Sequence, residues 1–192
     1  MTLKYEIQFL DYWHMGSGLS FGAKLDSAVI RDKENIPYVP GKTIKGLVRE
    51  MAEEFGCDFL NHCFGGTTDD KEKCYDEAKK NVEGTCYFSN AKIQETTKQQ
   101  IITNKLQDNL YSELASTKIG RKGNKNETEG ISVDNSLREI EVVIPISVFG
   151  EINDLDEKFI ENMTKSLTMI KRMGLNRNRG LGRCQISILE VV

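Results

Sequence analysis

The stretch LKYEIQF at residues 3–9 alternates apolar Leu3, Tyr5, Ile7 and Phe9 with polar Lys4, Glu6 and Gln8. A period of two puts the apolar set on one face of a strand, and that face needs a second layer to cover it. The same alternation closes the chain in RCQISILEV, 183–191, with Cys184, Ile186 and Ile188 inward. Between these ends the period changes twice. Ile44, Leu47, Val48 and Met51 make the stripe of a helix from about 42 to 55, stopped near Gly56, and Phe159, Met163, Leu167, Ile170 and Met173 make that of a helix at 155–173. GTCYFSNAKIQ at 84–94 reads as a second strand. REIEVVIPI at 138–146 reads as a third, with Ile140, Val142, Ile144 and Ile146 on one face. Strand, helix, strand, strand, helix, strand is an α+β, ferredoxin-like βαββαβ order.

Two excursions decorate this core: a polar, acidic, cysteine-bearing segment at 57–83 and a longer one at 95–137. Within the second, residues 117–134 carry no core periodicity and read as an exposed loop or a protruding hairpin. The 192 residues suffice for one domain with a real core, and the 39% hydrophobic content excludes a disordered chain. No apolar run approaches the roughly 18 residues of a membrane span, and the alternating N-terminus is a strand rather than a signal peptide. A cytoplasmic protein with no membrane partner is therefore expected.

The net charge of −3 does not announce a nucleic-acid binder, but the charge is polarised. Residues 165–183 hold Lys165, Lys171, Arg172, Arg177, Arg179 and Arg183 without an acid, and residues 116–126 include Lys118 and Arg121, again without one. The first of these basic segments ends in GLNRNRGLGR, 174–183, between a helix and a strand. Glycines let a backbone approach a phosphate, and arginines add bidentate contacts. The same loop could equally be a connector with solvated arginines. VPGKTIKGLVRE, 39–50, delivers Lys42, Thr43 and Lys45 into the first turn of a helix, with Arg49 on the face of Lys45. Cations there oppose the helix dipole, a conflict that a bound phosphate would resolve. In GAKLDSAVIRD, 22–32, Asp26 ends a glycine-rich loop; by position alone it reads as a turn or capping residue.

Taken in order, a glycine-rich loop, LDSAVIRD, IPYVPGKTIKGLVRE, CFGG and a glycine-arginine loop after the last helix resemble the RAMP superfamily. The similarity is closest to the guide-RNA-lining backbone subunit of type III CRISPR effector complexes. It spans roughly 3–65, 84–94 and 130–192. The resemblance implies a single RAMP domain over 1–192 that works with a guide CRISPR RNA, a single-stranded target RNA, further copies of itself and other effector subunits. Lys42, Thr43, Lys45, Arg49, Arg177, Arg179 and Arg183, with Gly16 and Ser17 of the first glycine loop, would hold RNA. Lys118 and Arg121 would also contact RNA, from a thumb hairpin at about 117–135 that pushes through the guide–target duplex. Asp26 matches the family's cleaving carboxylate, and Mg²⁺ or another divalent ion would assist once RNA is bound. Two alternatives stay open: a non-catalytic scaffold, and a metal-independent guide-processing endoribonuclease using His14.

Five cysteines in a chain of this kind argue against a disulfide framework. Cys57, His62, Cys63 and Cys74 lie within 18 residues, but their spacing does not match paired C-x₂-C. Some RAMP relatives carry a zinc-stapled excursion after the first helix. By that resemblance Cys57, Cys63 and Cys74, with His62 or Cys86 as a fourth ligand, would hold a structural Zn²⁺; ordinary reduced cysteines are the other reading. Tyr12 and Trp13 at the end of the first strand could stack on bases or belong to the core.

Overall fold

The structure is a computed structural model describing residues 1–18, 26–66, 74–76, 80, 82–120, 128–133 and 136–192. Its elements are β1 (Leu3–Phe9), α1 (Gly41–Ala52), α2 (Cys57–Phe64), β2 (Tyr87–Phe88), α3 (Glu95–Thr103), β3 (Tyr111–Ser116), β4 (Arg138–Val143), β5 (Ser147–Asn153), α4 (Ile160–Met169) and β6 (Cys184–Val191). The main sheet runs β2-β5-β1-β6, and every neighbouring pair is antiparallel. With α1 and α4 as its two principal helices, this is the ferredoxin-like arrangement that the sequence order implies.

The inner face of β1 is Leu3, Tyr5, Ile7 and Phe9, all buried. They meet Val148 and Ile152 of β5, Cys184 and Ile186 of β6, and the stripes Ile44–Val48–Ala52 of α1 and Met163–Leu167 of α4. Each such aliphatic side chain contributes about 1.5–3 kcal/mol by leaving water. The helix α2 adds Phe59, whose ring lies 5.8 Å from Phe64 and 5.3 Å from Phe159. Truncating Phe59 to Ala would therefore cost about 3–5 kcal/mol.

The third core strand is not the one the sequence suggests. Residues 138–143 leave the main sheet and pair with β3 in a separate two-stranded ribbon, while 147–153 take the place beside β1. Pro145, which has no N–H to give a ladder, separates the two runs. The alternation of β5 is broken at an inward position by Gly150, because Tyr5 fills that volume. A Cβ on Gly150 would stand 2.5 Å from the Tyr5 phenol oxygen. The second excursion opens with the helix Glu95–Thr103 and then enters the ribbon strand β3.

Beyond β3 and β4 the ribbon continues outward. Ile119 bridges Ser132, the Val133 amide donates to the Lys118 carbonyl at 2.9 Å, and the Gly120 amide donates to the Ile131 carbonyl at 2.8 Å. Ile119, Ile131 and Leu137 stay exposed. Residues 121–127, Arg121 among them, lie outside the described residues.

Candidate nucleic-acid interface

Asp26 is fastened to the root of this ribbon. Its amide donates to the Glu139 carbonyl at 2.9 Å, and its Oδ2 accepts from the Glu139 amide at 2.9 Å. One residue on, the Ser27 carbonyl accepts the Glu141 amide at 3.1 Å, so 26–27 run parallel along the outer edge of β4. The carboxylate itself is exposed. It lines an open groove of about 890 Å³ together with Lys118 of the ribbon, Arg138 at the start of β4 and Arg179 of the glycine-arginine loop. The groove thus gathers three residues that the sequence nominates from segments about 60–90 positions apart, and a fourth, Arg138, that it does not. In sequence Arg138 is merely the polar first residue of an alternating strand, and only the pairing of β3 with β4 turns it toward this site.

The glycine-arginine loop leaves from Met173 and returns at Gly182, closed by the Met173 amide donating to the Gly182 carbonyl at 3.0 Å. Two glycines are required by that closure. Gly174 has φ +91° and a Cβ there would lie 2.3 Å from the His14 carbonyl; Gly182 has φ +68° and a Cβ there would lie 1.9 Å from the Met173 carbonyl. The loop is seated on residues 12–14, with Gly182 N–H donating to the Tyr12 carbonyl at 2.8 Å and Leu175 N–H to the His14 carbonyl at 2.9 Å. Its arginines are spread around the rim: Arg179 is exposed, Arg183 pairs with Asp11 at 3.1 Å, and Arg177 reaches Glu50 of α1 at 3.9 Å.

That last contact joins the loop to the helix carrying the other nominated cations. At the start of α1 the Gly41 amide is capped by Asn90 Oδ1 at 2.8 Å, no acid stands in the first turn, and Lys42 is exposed. Thr43, Lys45 and Arg49 are half-buried. Gly16 and Ser17 pair with the 28–29 segment, through the Gly16–Val29 bridge and the Ser17 amide donating to the Ala28 carbonyl at 3.0 Å.

His14 is fully buried. Its Nδ1 lies 2.6 Å from the Glu141 carbonyl and its Nε2 3.0 Å from Ser27 Oγ. Neither nitrogen faces the groove, so the imidazole is not placed to exchange a proton with bound RNA, and the reading of His14 as a processing base is corrected. Trp13 is core as well, stacked on Phe9 at 4.4 Å with its Nε1–H donating to the Ile144 carbonyl. Tyr12 remains exposed. Glu141 of β4, which no sequence pattern singles out, is buried. Its carboxylate accepts the Val29 amide at 3.0 Å and pairs with Arg31, whose guanidinium lies over the Tyr111 ring at 4.3 Å.

Asp32 lies on a different footing. Its Oδ1 accepts the Glu34 and Ile36 amides at 2.9 and 3.0 Å, and its Oδ2 accepts Lys98 at 2.8 Å. Burial pushes this carboxyl up, but the lysine and the two amides outweigh it and hold the group below the usual carboxylate range.

The cysteines do not assemble the four-ligand set. Cys57 and Cys74 are joined in a disulfide, against the expectation from cysteine usage. Cys63 lies beside Cys86, whose amide donates to the Cys63 carbonyl at 3.2 Å. The thiol–thiol hydrogen bond, then burial, pushes Cys63 up, while the same bond lowers Cys86. His62 approaches Asp156 at 4.0 Å instead. The physical reason is helical: six positions on α2 turn the chain by roughly 600°, which leaves Cys57 and Cys63 on different faces. Among the described residues no three His, Cys, Asp or Glu side chains converge as metal ligands.

The RAMP superfamily model matches residues 6–185, and the chain belongs to that superfamily. Two solved structures resemble it over nearly the whole length. One is described as the type III-B Cmr-beta bound to cognate target RNA (TM-score 0.71, 11% identity, 98% of this chain and 97% of that chain covered). The other is described as the type III-B Cmr-beta in the apo state (TM-score 0.64, 11% identity, 99% and 98% covered). No curated protein matches the sequence. Among the described residues no helix is long and apolar enough to cross a membrane.

Proposed function

We propose that this chain is an RNA-binding subunit of a type III CRISPR effector complex that cleaves target RNA with Asp26. The observation that carries the reading is the groove in which Asp26, Lys118, Arg138 and Arg179 converge. Three cations around one exposed carboxylate are suited to a phosphodiester held in place and acted upon. The partners would be the guide RNA, the single-stranded target, further copies of this chain and other subunits. The likeness to a target-RNA-bound Cmr assembly supports that choice over a small-molecule enzyme. Guide phosphates would lie along Lys42, Thr43, Lys45 and Arg49 of α1 and the adjoining Arg177, with Arg183, Gly16 and Ser17 at the margins. The ribbon continuing through Lys118 would separate guide and target so that a displaced nucleotide reaches the groove.

In such a nucleotide the 2′-oxygen can attack the neighbouring phosphorus in line. The bond to the 5′-oxygen breaks, and a 2′,3′-cyclic phosphate and a 5′-hydroxyl result. Asp26 would orient the 2′-hydroxyl and take up its proton, water would protonate the departing 5′-oxygen, and Lys118, Arg138 and Arg179 would offset the charge on the phosphoryl oxygens. One backbone amide uses only part of the acceptor capacity of an ionised carboxylate, so Asp26 retains lone pairs for this task. A divalent ion fits only partly: among the described lining residues Asp26 is the one carboxylate, and water and RNA oxygens would have to complete the shell. Such an ion, when bound, would supply Lewis-acid stabilisation. A structural Zn²⁺ on the cysteine segment would require the Cys57–Cys74 bond to open, and metal analysis of protein prepared under reducing conditions tests it.

The deciding experiment is Asp26→Ala in a complex assembled with guide and target RNA. Target binding with cleavage lost supports the nuclease reading. Undiminished cleavage leaves the scaffold reading, which the bond from the Glu139 amide to Asp26 Oδ2 favours.

A further inference from the structure

The buried imidazole of His14 lies at the junction of three segments that build the groove without itself reaching it. Its Nδ1 meets the Glu141 carbonyl of β4 at 2.6 Å. A carbonyl can only accept, so Nδ1 carries the proton and a neutral ring offers its Nε2 lone pair to the Ser27 hydroxyl at 3.0 Å. Ser27 follows Asp26 directly, and both lie along the edge of β4. The backbone carbonyl of His14 accepts the Leu175 amide, at the start of the loop that carries Arg177 and Arg179. The same carbonyl is what a side chain at Gly174 would strike.

We infer that His14 is a positioning residue: through Ser27 and the Leu175 amide it holds the Asp26 carboxylate and the arginine loop in fixed relation across the groove. Two hydrogen bonds from a side chain with no exposed surface fix the ring, the ring fixes the backbone of residue 14, and that backbone is the seat of the loop. Buried polar groups joined in this way are costly to leave half satisfied, so loss of one bond propagates to the others. The cleavage consequence rests on the nuclease reading of Asp26; the structural consequence does not.

Two variants test it in the full chain. His14→Asn keeps a donor for β4 but is too short to meet Ser27. Ser27→Ala removes only the hydroxyl, with Ser27→Thr as its rescue. Amide exchange in the free chain should speed up about tenfold at residues 141, whose amide donates to the Ser27 carbonyl, and 175 together in His14→Asn, and at 141 in Ser27→Ala, with Ser27→Thr near wild type. Ring ¹⁵N shifts should report the Nδ1–H tautomer. In the assembled complex, Ser27→Ala should slow single-turnover cleavage about tenfold with target affinity changed less than twofold, and Ser27→Thr should recover it. Unchanged exchange at 141 and 175 in His14→Asn would overturn the inference even if cleavage falls, because His14 would then act by another route. Should His14→Asn fail to fold, unchanged exchange at 141 in Ser27→Ala overturns it instead. If Asp26→Ala cleaves normally, the nuclease reading fails, and the exchange measurements alone decide the role of His14.

Discussion

Asp26 and Asp32 stand six residues apart on one segment, and the fold treats them in opposite ways. Asp32 is held at both oxygens: two backbone amides bond one and Lys98 the other, and Lys98 also pairs with Glu34. Asp26 is exposed at the wall of a groove, with the Glu139 amide on one oxygen and three cationic side chains along the same walls. A carboxylate whose acceptors are filled by its own chain fixes a turn. One with acceptor capacity left over, among cations contributed by distant segments, is available to a substrate. The partners of the two carboxylates separate them.

The comparison would break most visibly in cleavage. Asp26→Ala and Asp26→Asn should each slow target cleavage by about 10²–10⁴-fold, the usual range for a positioned acid–base group, with guide and target affinity equal or slightly improved. Asp32→Ala should cut at close to the wild-type rate, measured in the same single-turnover assay. Equal losses in both variants would erase the distinction.

Stability should run the other way. Asp32→Ala removes three hydrogen bonds, two of them from backbone amides, and should cost about 1–3 kcal/mol by urea unfolding. Asp26→Ala gives up a single exposed backbone bond and should cost less than about 1 kcal/mol. The pH dependence sharpens this. Asp32 is held below its unfolded value, so its contribution is fully present above about pH 4 and is lost as pH falls through the folded pKa. The Asp32→Ala deficit should therefore shrink on acidification below about pH 4. A deficit that stays constant from pH 7 to pH 2 would remove the electrostatic part of the argument.

The smallest effect concerns the cations. Replacing Arg177 and Arg179 together with Ala should flatten the salt dependence of RNA affinity by up to about one slope unit per lost phosphate contact, whatever the base sequence. Lys98→Ala, which only loses Asp32 and Glu34, should leave the slope unchanged. Filter binding across a salt series distinguishes the two outcomes.

The sequence by itself determined the layer architecture. Period-two alternation at Leu3–Phe9 and Cys184–Ile188, and the stripes from Ile44 and Met163, are local patterns that have one sensible burial each. It also nominated Asp26, Lys118 and Arg179, through motif and charge. It assigned 138–146 to the core, whereas 147–153 pair with β1 and 138–143 with β3, a choice of partner that no local alternation records. It did not place Arg138 at the groove, since β4 faces that way only once paired with β3. Nor could it tell a catalytic histidine from a buried brace: His14 sits in a glycine-punctuated loop, the usual setting for an exposed residue. Its burial depends on Glu141 and Ser27 arriving from 127 and 13 positions away. Periodicity records which side of an element faces the core. Only the packed chain decides which polar groups meet across it, because each such contact requires two remote segments to be correctly placed at once.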